Sequence, residues 1–207
     1  MKNLFKTKYL TLLALLFFTM GQDRSQGIIQ NGCFEQSTQA AAVGSFISFS
    51  TATNPLLVNF WAPINATPVE LHHFQHWNMG GEGLQHIDLN GLAGAPGISQ
   101  TVPVLVAGTQ YEISFMSSIH DLTNNGTSAT GNVSITGPGG TVPLNQNFVE
   151  TDVTPVINTG NPWATRTFTF TPTVTGPHTV TFTGSLSLSA NGGVLIDCVR
   201  VRVDDPC

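Results

Sequence analysis

Apolar and polar residues alternate along most of the chain after residue 28, and clusters of Gly, Pro and Asn separate the alternating segments. In Thr165–Thr171 the alternation is strict, and Phe168 and Phe170 fall on one face. A period of two predicts β-strands, and turn residues between many short strands predict a sandwich or barrel. The other predicted strands are Leu57–Trp61, Val102–Val106, Tyr111–Met116, Asn132–Thr136, Thr141–Leu144, Thr179–Thr183 and Leu195–Val203.

Helical periodicity is scarce in the same region. The Ala-rich segment Gln36–Gly44 predicts at most one helical turn. No internal repeat and no second domain are evident, so the pattern predicts a single all-β domain.

The first 21 residues have the pattern of a secretory signal peptide. Three lysines precede an apolar run, Tyr9–Phe18, that is too short to span a bilayer, and Thr19–Gly21 supplies small residues for cleavage. An N-terminal membrane anchor is the alternative. The predicted organisation is a signal peptide at 1–21, a linker at 22–27, a β-sandwich domain at 28–203 and an exit segment at 204–207.

The charge balance limits the classes of partner. The chain has 7 basic and 12 acidic residues, a net charge of −5. Because the three lysines fall in the signal peptide, four arginines face twelve acids in the remainder, a net charge of −8. Such a surface repels nucleic acid and anionic lipid, and it is compatible with neutral ligands and divalent cations. We therefore expect neither nucleic-acid binding nor membrane insertion of the mature chain.

Three cysteines, Cys33, Cys198 and Cys207, suggest one disulfide and one remaining thiol in an exported protein. No two of them form a Cys-x-x-Cys pair, so their spacing does not favour a zinc site.

Four segments carry a resemblance to a known family. They are Asn31–Glu35 (Asn-Gly-Cys-Phe-Glu), Gln85–Gly91 with its Asp-Leu-Asn-Gly sequence, Gly97–Val102 with its Ile-Ser-Gln sequence, and Leu195–Val199 (Leu-Ile-Asp-Cys-Val). In this order they resemble the galactose-binding-like jelly rolls of extracellular carbohydrate-binding modules, most closely the DUF642 and choice-of-anchor group. The resemblance extends over residues 28–203. It implies a jelly-roll β-sandwich of eight or nine strands without catalytic machinery.

The resemblance also implies that the first and last strands lie close together. On that basis we expect a disulfide between Cys33 and Cys198, with Cys207 free or paired outside the chain; a Cys198–Cys207 bridge is the rival pairing. The resemblance further implies a structural calcium ion held by Glu35 and Asp197. The alternative is that each of these carboxylates accepts hydrogen bonds from a loop backbone, since an unpaired charge in an apolar strand would be costly.

Aromatic residues with polar neighbours are candidates for sugar binding, because sugars offer C–H groups to a ring and hydroxyls to hydrogen-bonding side chains. The resemblance places Trp61 and Trp163 in the core. Trp77 is the better candidate, and the predicted ligand-binding residues are Trp77, His73, His76 and Asn78, in a segment followed by two glycines. The histidine-rich stretch departs from the family pattern.

Two other kinds of site remain open alternatives. His72, His73 and His76 would bind a transition metal only if a turn brought them together, because His72 and His76 stand about 13 Å apart in a strand. Glu70 and Asp88 would form a glycosidase pair, but the resemblance places Asp88 in a structural turn.

These observations predict a secreted, non-catalytic carbohydrate-binding protein that acts at the cell surface or in the extracellular matrix. The alternative is a structural or adhesive module that self-associates or binds a protein partner. A low charge content, 9% of residues, leaves sheet edges with few charged residues to prevent such association.

Overall fold

The computed structural model of the chain describes residues 28–39, 41–73, 81–89, 95–120, 128–153, 162–184 and 193–204. Within these ranges the strands form two antiparallel sheets that pack face to face. The predicted all-β jelly-roll sandwich is confirmed. The segments predicted as signal peptide and linker, and Cys207, lie outside the described residues.

One sheet has six strands in the order β1-β3-β4-β11-β6-β9, and the other has five in the order β2-β5-β10-β7-β8. The strands are β1 (Ser45–Phe49), β2 (Ala62–Pro63), β3 (Val69–His73), β4 (Gln85–Asp88), β5 (Gly97–Leu105), β6 (Tyr111–Ile119), β7 (Ser128–Thr136), β8 (Leu144–Thr151), β9 (Ala164–Phe170), β10 (Gly176–Gly184) and β11 (Val194–Val203).

The core lies between the sheets and is built from the apolar positions of the alternating strands. Phe115 of β6 is its centre, with its ring 4.9 Å from that of Phe182 and 5.0 Å from that of Phe148. Edge-to-face contacts of this kind add to the free energy gained by burying the rings. Trp61 is 2% exposed and donates its indole N–H to the carbonyl of Asn31, so its predicted core position is confirmed.

The segment that precedes β1 runs beside β11, the last described strand. Ile28 donates its N–H to Val201, and Val199 donates its N–H to the carbonyl of Gly32. A Cβ atom at Gly32 would lie 2.0 Å from the Val199 carbonyl oxygen, so only glycine permits this approach.

A β-bulge in β11 makes that contact possible. The pairing with β6 shifts between Asp197 and Arg200, and Cys198 adopts a left-handed backbone conformation (φ 43°). Cys198 and Val199 lie opposite the single residue Phe115, and both keep hydrogen bonds outside the ladder, because Cys198 donates to the Asp197 carboxylate and Val199 donates to the carbonyl of Gly32. The bulge therefore turns β11 toward the N-terminal segment without leaving a buried N–H group unpaired.

Cys33 and Cys198 form a disulfide at this bulge, the pairing that the resemblance implied. The bridge closes a loop with a sequence separation of 165 residues and joins the N-terminal segment to a central strand.

Three predicted elements differ from the structure. The described part of Gln36–Gly44 forms turns and an isolated bridge between Ser37 and Val58, not a helical turn, because its backbone bonds with the facing loop. Turn hydrogen bonds break up the predicted strand Leu57–Trp61. The strand predicted at Thr141–Leu144 begins only at Leu144, because Thr141 closes a short 3₁₀ turn.

The described residues contain no helix of the length and apolarity needed to cross a membrane.

Removal of the disulfide should destabilise the domain. The chain-entropy model gives about 4–5 kcal/mol for a loop of this size, so the double substitution Cys33→Ser and Cys198→Ser should lower the free energy of unfolding in urea by that order. Cys207→Ser is the matched control and should leave it unchanged. Recovery of a Cys198–Cys207 peptide in a non-reducing digest would contradict the assigned pairing.

Candidate functional site

The outer face of the six-stranded sheet, opposite the core, carries an unusual set of buried polar residues. In β3, Glu70 and His72 alternate with the core residues Val69 and Leu71. Glu70 pairs with Asp88 of β4, and His72 pairs with His86, so all four side chains project from the same face.

The three histidines of this face lie together with two acids. The ring of His72 is 5.2 Å from that of His86 and 5.9 Å from that of His120. We call Glu70, His72, His86, Asp88 and His120 the histidine cluster. Its three histidines and Asp88 are buried, with exposures of 0 to 8%.

His72 is the centre of the cluster. Its Nε2 atom lies 3.0 Å from a carboxylate oxygen of Glu70 and 3.8 Å from one of Asp88. On β1, Ser48 lies opposite Glu70, with its hydroxyl 3.5 Å from the other Glu70 oxygen.

Trp163, just before β9, belongs to this outer face and not to the core. Its ring meets the ring of His86 edge-on, with the centroids 5.5 Å apart. The ring also approaches Gly81, where a Cβ atom would be only 3.1 Å away. Trp163 remains half-buried, so the core position that the resemblance implied is wrong.

The predicted calcium ligands Glu35 and Asp197 both bind the backbone of the segment that leads into β4. Glu35 accepts hydrogen bonds from the N–H groups of Leu84 and Gln85, at 2.7 and 2.8 Å. Asp197 accepts one from Glu82 at 2.9 Å, in addition to the one from Cys198. Both carboxylates therefore accept hydrogen bonds from a loop backbone, as the alternative to the calcium site predicted.

Gly83 allows the close approach of Glu35. It has φ +78°, and a Cβ atom there would lie 2.3 Å from the Glu35 carboxylate oxygen. A side chain at this position would displace the carboxylate, in addition to straining the backbone.

The carboxyl group of Asp197 is difficult to ionise in this environment. Burial raises its pKa from 3.8 to about 8, and the negative charges of Glu35 and Glu82 contribute to the rise. The hydrogen bonds from the backbone of Glu82 and Cys198 oppose the shift without cancelling it.

Most of the predicted sugar-binding residues lie outside the described residues, namely Trp77, His76 and Asn78. The fourth, His73, ends β3 and is half-buried, opposite Ser45 on one side and Gln85 on the other. The assignment of these residues therefore stays a prediction.

The residues of the alternative metal site and of the alternative glycosidase pair are arranged differently from what the sequence suggested. His72 and His73 are adjacent in a strand and project to opposite faces, whereas His72 lies against Glu70 and Asp88. Asp88 is the last residue of β4 and faces Glu70 directly, so it is not confined to a turn.

Sequence analysis did not associate His86, His120 and Trp163 with these acids. The signal within each strand was present, since polar residues alternate with apolar ones in both β3 and β4. The pairing of β3 with β4 and the approach of Trp163 depend on topology, which the alternation alone does not give.

An apolar groove opens elsewhere on the surface, beside the core residue Trp61. It contains two exposed side chains, Leu56 and Phe60, which are 75% and 55% exposed. Phe60 has φ 71°, a conformation uncommon for an aromatic residue.

No protein-family model matches the chain, and no curated protein matches it in sequence. Solved structures do resemble it. A CBM4 carbohydrate-binding module is 16% identical, with a TM-score of 0.50 and coverage of 85% of this chain and 99% of the module. An arabinose-bound GH51 α-L-arabinofuranosidase is 12% identical, with a TM-score of 0.54 and coverage of 85% of this chain but only 26% of the enzyme. These similarities establish a β-sandwich fold like that of carbohydrate-binding modules.

The raised pKa of Asp197 predicts a pH-dependent stability. The folded state binds this proton more tightly than the unfolded chain does, so the contribution is fully present below about pH 4 and is lost as the pH rises to about 8. Unfolding of wild type and Asp197→Asn should be measured across this range. The free energy of unfolding of the wild type should fall steadily relative to that of Asp197→Asn between about pH 5 and pH 8. Above about pH 8 the difference between the two proteins should level off. A constant difference would contradict the assignment.

Proposed function

We propose that the protein is a non-catalytic carbohydrate-binding module, exported from the cell and active at the cell surface or in the extracellular matrix. Its fold resembles that of a carbohydrate-binding module, and the Cys33–Cys198 disulfide is compatible with an oxidising compartment. The more specific assignment to the DUF642 and choice-of-anchor group stays a prediction.

The observation that carries the proposal is the position of Trp163. The core does not require this ring, which is half-buried on the same sheet face as the histidine cluster. An indole beside hydrogen-bonding groups is the combination that recognises a sugar, with the ring against C–H groups and polar atoms at the hydroxyls.

Described residues on either side of the predicted ligand-binding segment belong to this sheet or pack against Trp163. His73 and Gly81 flank the segment 74–80 that carries Trp77, and Gly81 packs against Trp163. We therefore propose that Trp163 and Trp77 contribute to the same glycan site, with His76 and Asn78 as polar partners. His73 projects from the other face of β3 and is not included in this site. The net negative charge favours a neutral polysaccharide.

A glycan array of neutral polysaccharides tests this function, followed by binding measurements on variants. Trp163→Ala and Trp77→Ala should each weaken binding at least about tenfold, a loss of about 1.4 kcal/mol, because each removes stacking area. The melting temperature should remain near that of the wild type. Phe60→Ala removes an exposed aromatic ring elsewhere and should leave binding unchanged.

Two outcomes would contradict the glycan site. One is unchanged glycan binding by both folded tryptophan variants. The other is a loss of stability as large as that of a core substitution, about 3–5 kcal/mol for a truncated tryptophan. Trp61→Ala, which truncates a core tryptophan, provides the reference value in this protein.

We also propose a structural calcium ion at Glu35 and Asp197. The negative charges of Glu35 and Glu82 both act on Asp197, and carboxylate oxygens are donors that fit a hard cation. The ion would neutralise charge there and favour the ionised form of Asp197. Its role would be to fix the segment Glu82–Gln85 against β11, and it has no part in binding sugar.

Calcium should stabilise the chelator-treated protein by mass action. At about 100 times the dissociation constant the gain is about 2.7 kcal/mol, which corresponds to roughly 5–10 °C in melting temperature for a domain of this size. Asp197→Ala and Glu35→Gln should abolish the rise, whereas Glu112→Gln, an acid paired with Arg202, should retain it. An unchanged wild-type melting curve would count against the calcium site.

A structural or adhesive role is the second candidate. The exposed Leu56 and Phe60 beside Trp61 form an apolar groove of a kind that partner surfaces cover. A mass that rises with protein concentration and returns to that of the monomer in Phe60→Ser would favour this role, and a constant monomer mass would exclude self-association through the groove.

A further inference from the structure

We propose that the histidine cluster contains a binding site for a divalent transition-metal ion, with Zn²⁺ as the representative, held by Glu70, His72 and Asp88. The inference is independent of glycan binding and of the calcium site. Glu70, His72 and Asp88 each offer one ligand atom, and these atoms lie within 4.8 Å of one another.

The distances suit a metal ion of that size. Two ligand atoms bonded to zinc at about 2.0–2.2 Å in tetrahedral geometry stand about 3.3–3.6 Å apart. The Nε2 atom of His72 lies 3.0 Å from Glu70 and 3.8 Å from Asp88, values that bracket this separation. Small side-chain rotations would therefore place an ion among all three.

The charges of the cluster also favour a cation. The carboxylates of Glu70 and Asp88 converge on the imidazole of His72 at a place where His72 and Asp88 are almost inaccessible to solvent. A buried net charge is costly. A divalent ion with a neutral His72 and two carboxylates gives a net charge of zero.

The arginines of the described residues are engaged elsewhere. Arg166 pairs with Glu150, Arg200 with Glu82, and Arg202 with Glu112. All three lysines of the chain precede residue 9. His72 contacts both Glu70 and Asp88, and it would act as a ligand when the ion is bound.

The strands hold the three ligands rigidly, and neighbouring groups surround them. Glu70 and Asp88 face each other across β3 and β4, and His72 is two residues along β3. The imidazoles of His86 and His120 line the same site. Ser48, beside Glu70, is in position to orient that carboxylate, as outer partners of metal ligands commonly do. Mixed imidazole and carboxylate donors suit zinc and related ions better than calcium.

The test is titration of the metal-stripped full chain with Zn²⁺ by calorimetry. We expect one tightly bound equivalent that millimolar calcium does not displace. His72→Gln and Asp88→Asn should each weaken zinc binding by at least about 100-fold, the upper end of the effect of losing an outer partner. His73→Gln, the same substitution one residue along β3, should retain the wild-type affinity.

If the variants at buried positions fail to fold, X-ray absorption spectroscopy of the zinc-loaded wild type tests the site independently, because it reports which ligand atoms surround the zinc ion. We expect a shell of nitrogen and oxygen ligands at about 2.0–2.2 Å that includes imidazole. Absence of a stoichiometric zinc ion, a shell without imidazole, or zinc binding that survives both substitutions in folded protein would each overturn the proposal.

Discussion

The burial of β11 on both faces is the constraint on which the rest of the molecule depends. This strand lies between β4 and β6, so its apolar residues face the core while Leu195 and Asp197 are buried on the other side. A carboxylate in that position must have partners, and the segment Glu82–Gln85 supplies one of them from its backbone. The bulge at Cys198 supplies the other and turns the strand toward the disulfide.

The outer face of the same sheet therefore carries two groups of polar residues with different environments. Around Asp197, carboxylates are satisfied by backbone N–H groups, and the cost of burial appears as a raised pKa. Around His72, carboxylates are satisfied by imidazole. Trp163 lies between the groups, against both Gly81 and His86. In the proposed glycan site, the ring of Trp163 would therefore rest on a polar layer that the sheet holds in place.

Much of the fold could be predicted from the sequence because strand alternation is a local signal. Phe170 and Phe182 are core residues as their alternating segments indicate. The helical turn in Gln36–Gly44 failed because helix propensity is weak compared with backbone pairing to the Leu57–Asn59 loop, which no local pattern reveals.

The candidate site was less accessible to the same reasoning. Glu35 and Asp197 were paired through a family resemblance, and their shared binding to one backbone segment required the structure. The cluster around His72 depends on the register that places Glu70 opposite Asp88, and register is a property of two strands together. Trp163 was assigned to the core through the family resemblance, and its contacts with Gly81 and His86 on the outer face depend on topology.

The central position of β11 also affects how the chain acquires its structure during synthesis. The six-stranded sheet consists of two halves, β1-β3-β4 and β6-β9, whose hydrogen-bonded ladders are joined by β11, the last of the described strands to be translated. Until residue 194 and its successors emerge, β4 and β6 present unpaired edges, which are templates for association with other chains. The Cys33 thiol likewise waits for a partner 165 residues away. Completion of this sheet is therefore a late event in the synthesis of the chain, because β11 must emerge from the ribosome before the facing edges of β4 and β6 are covered.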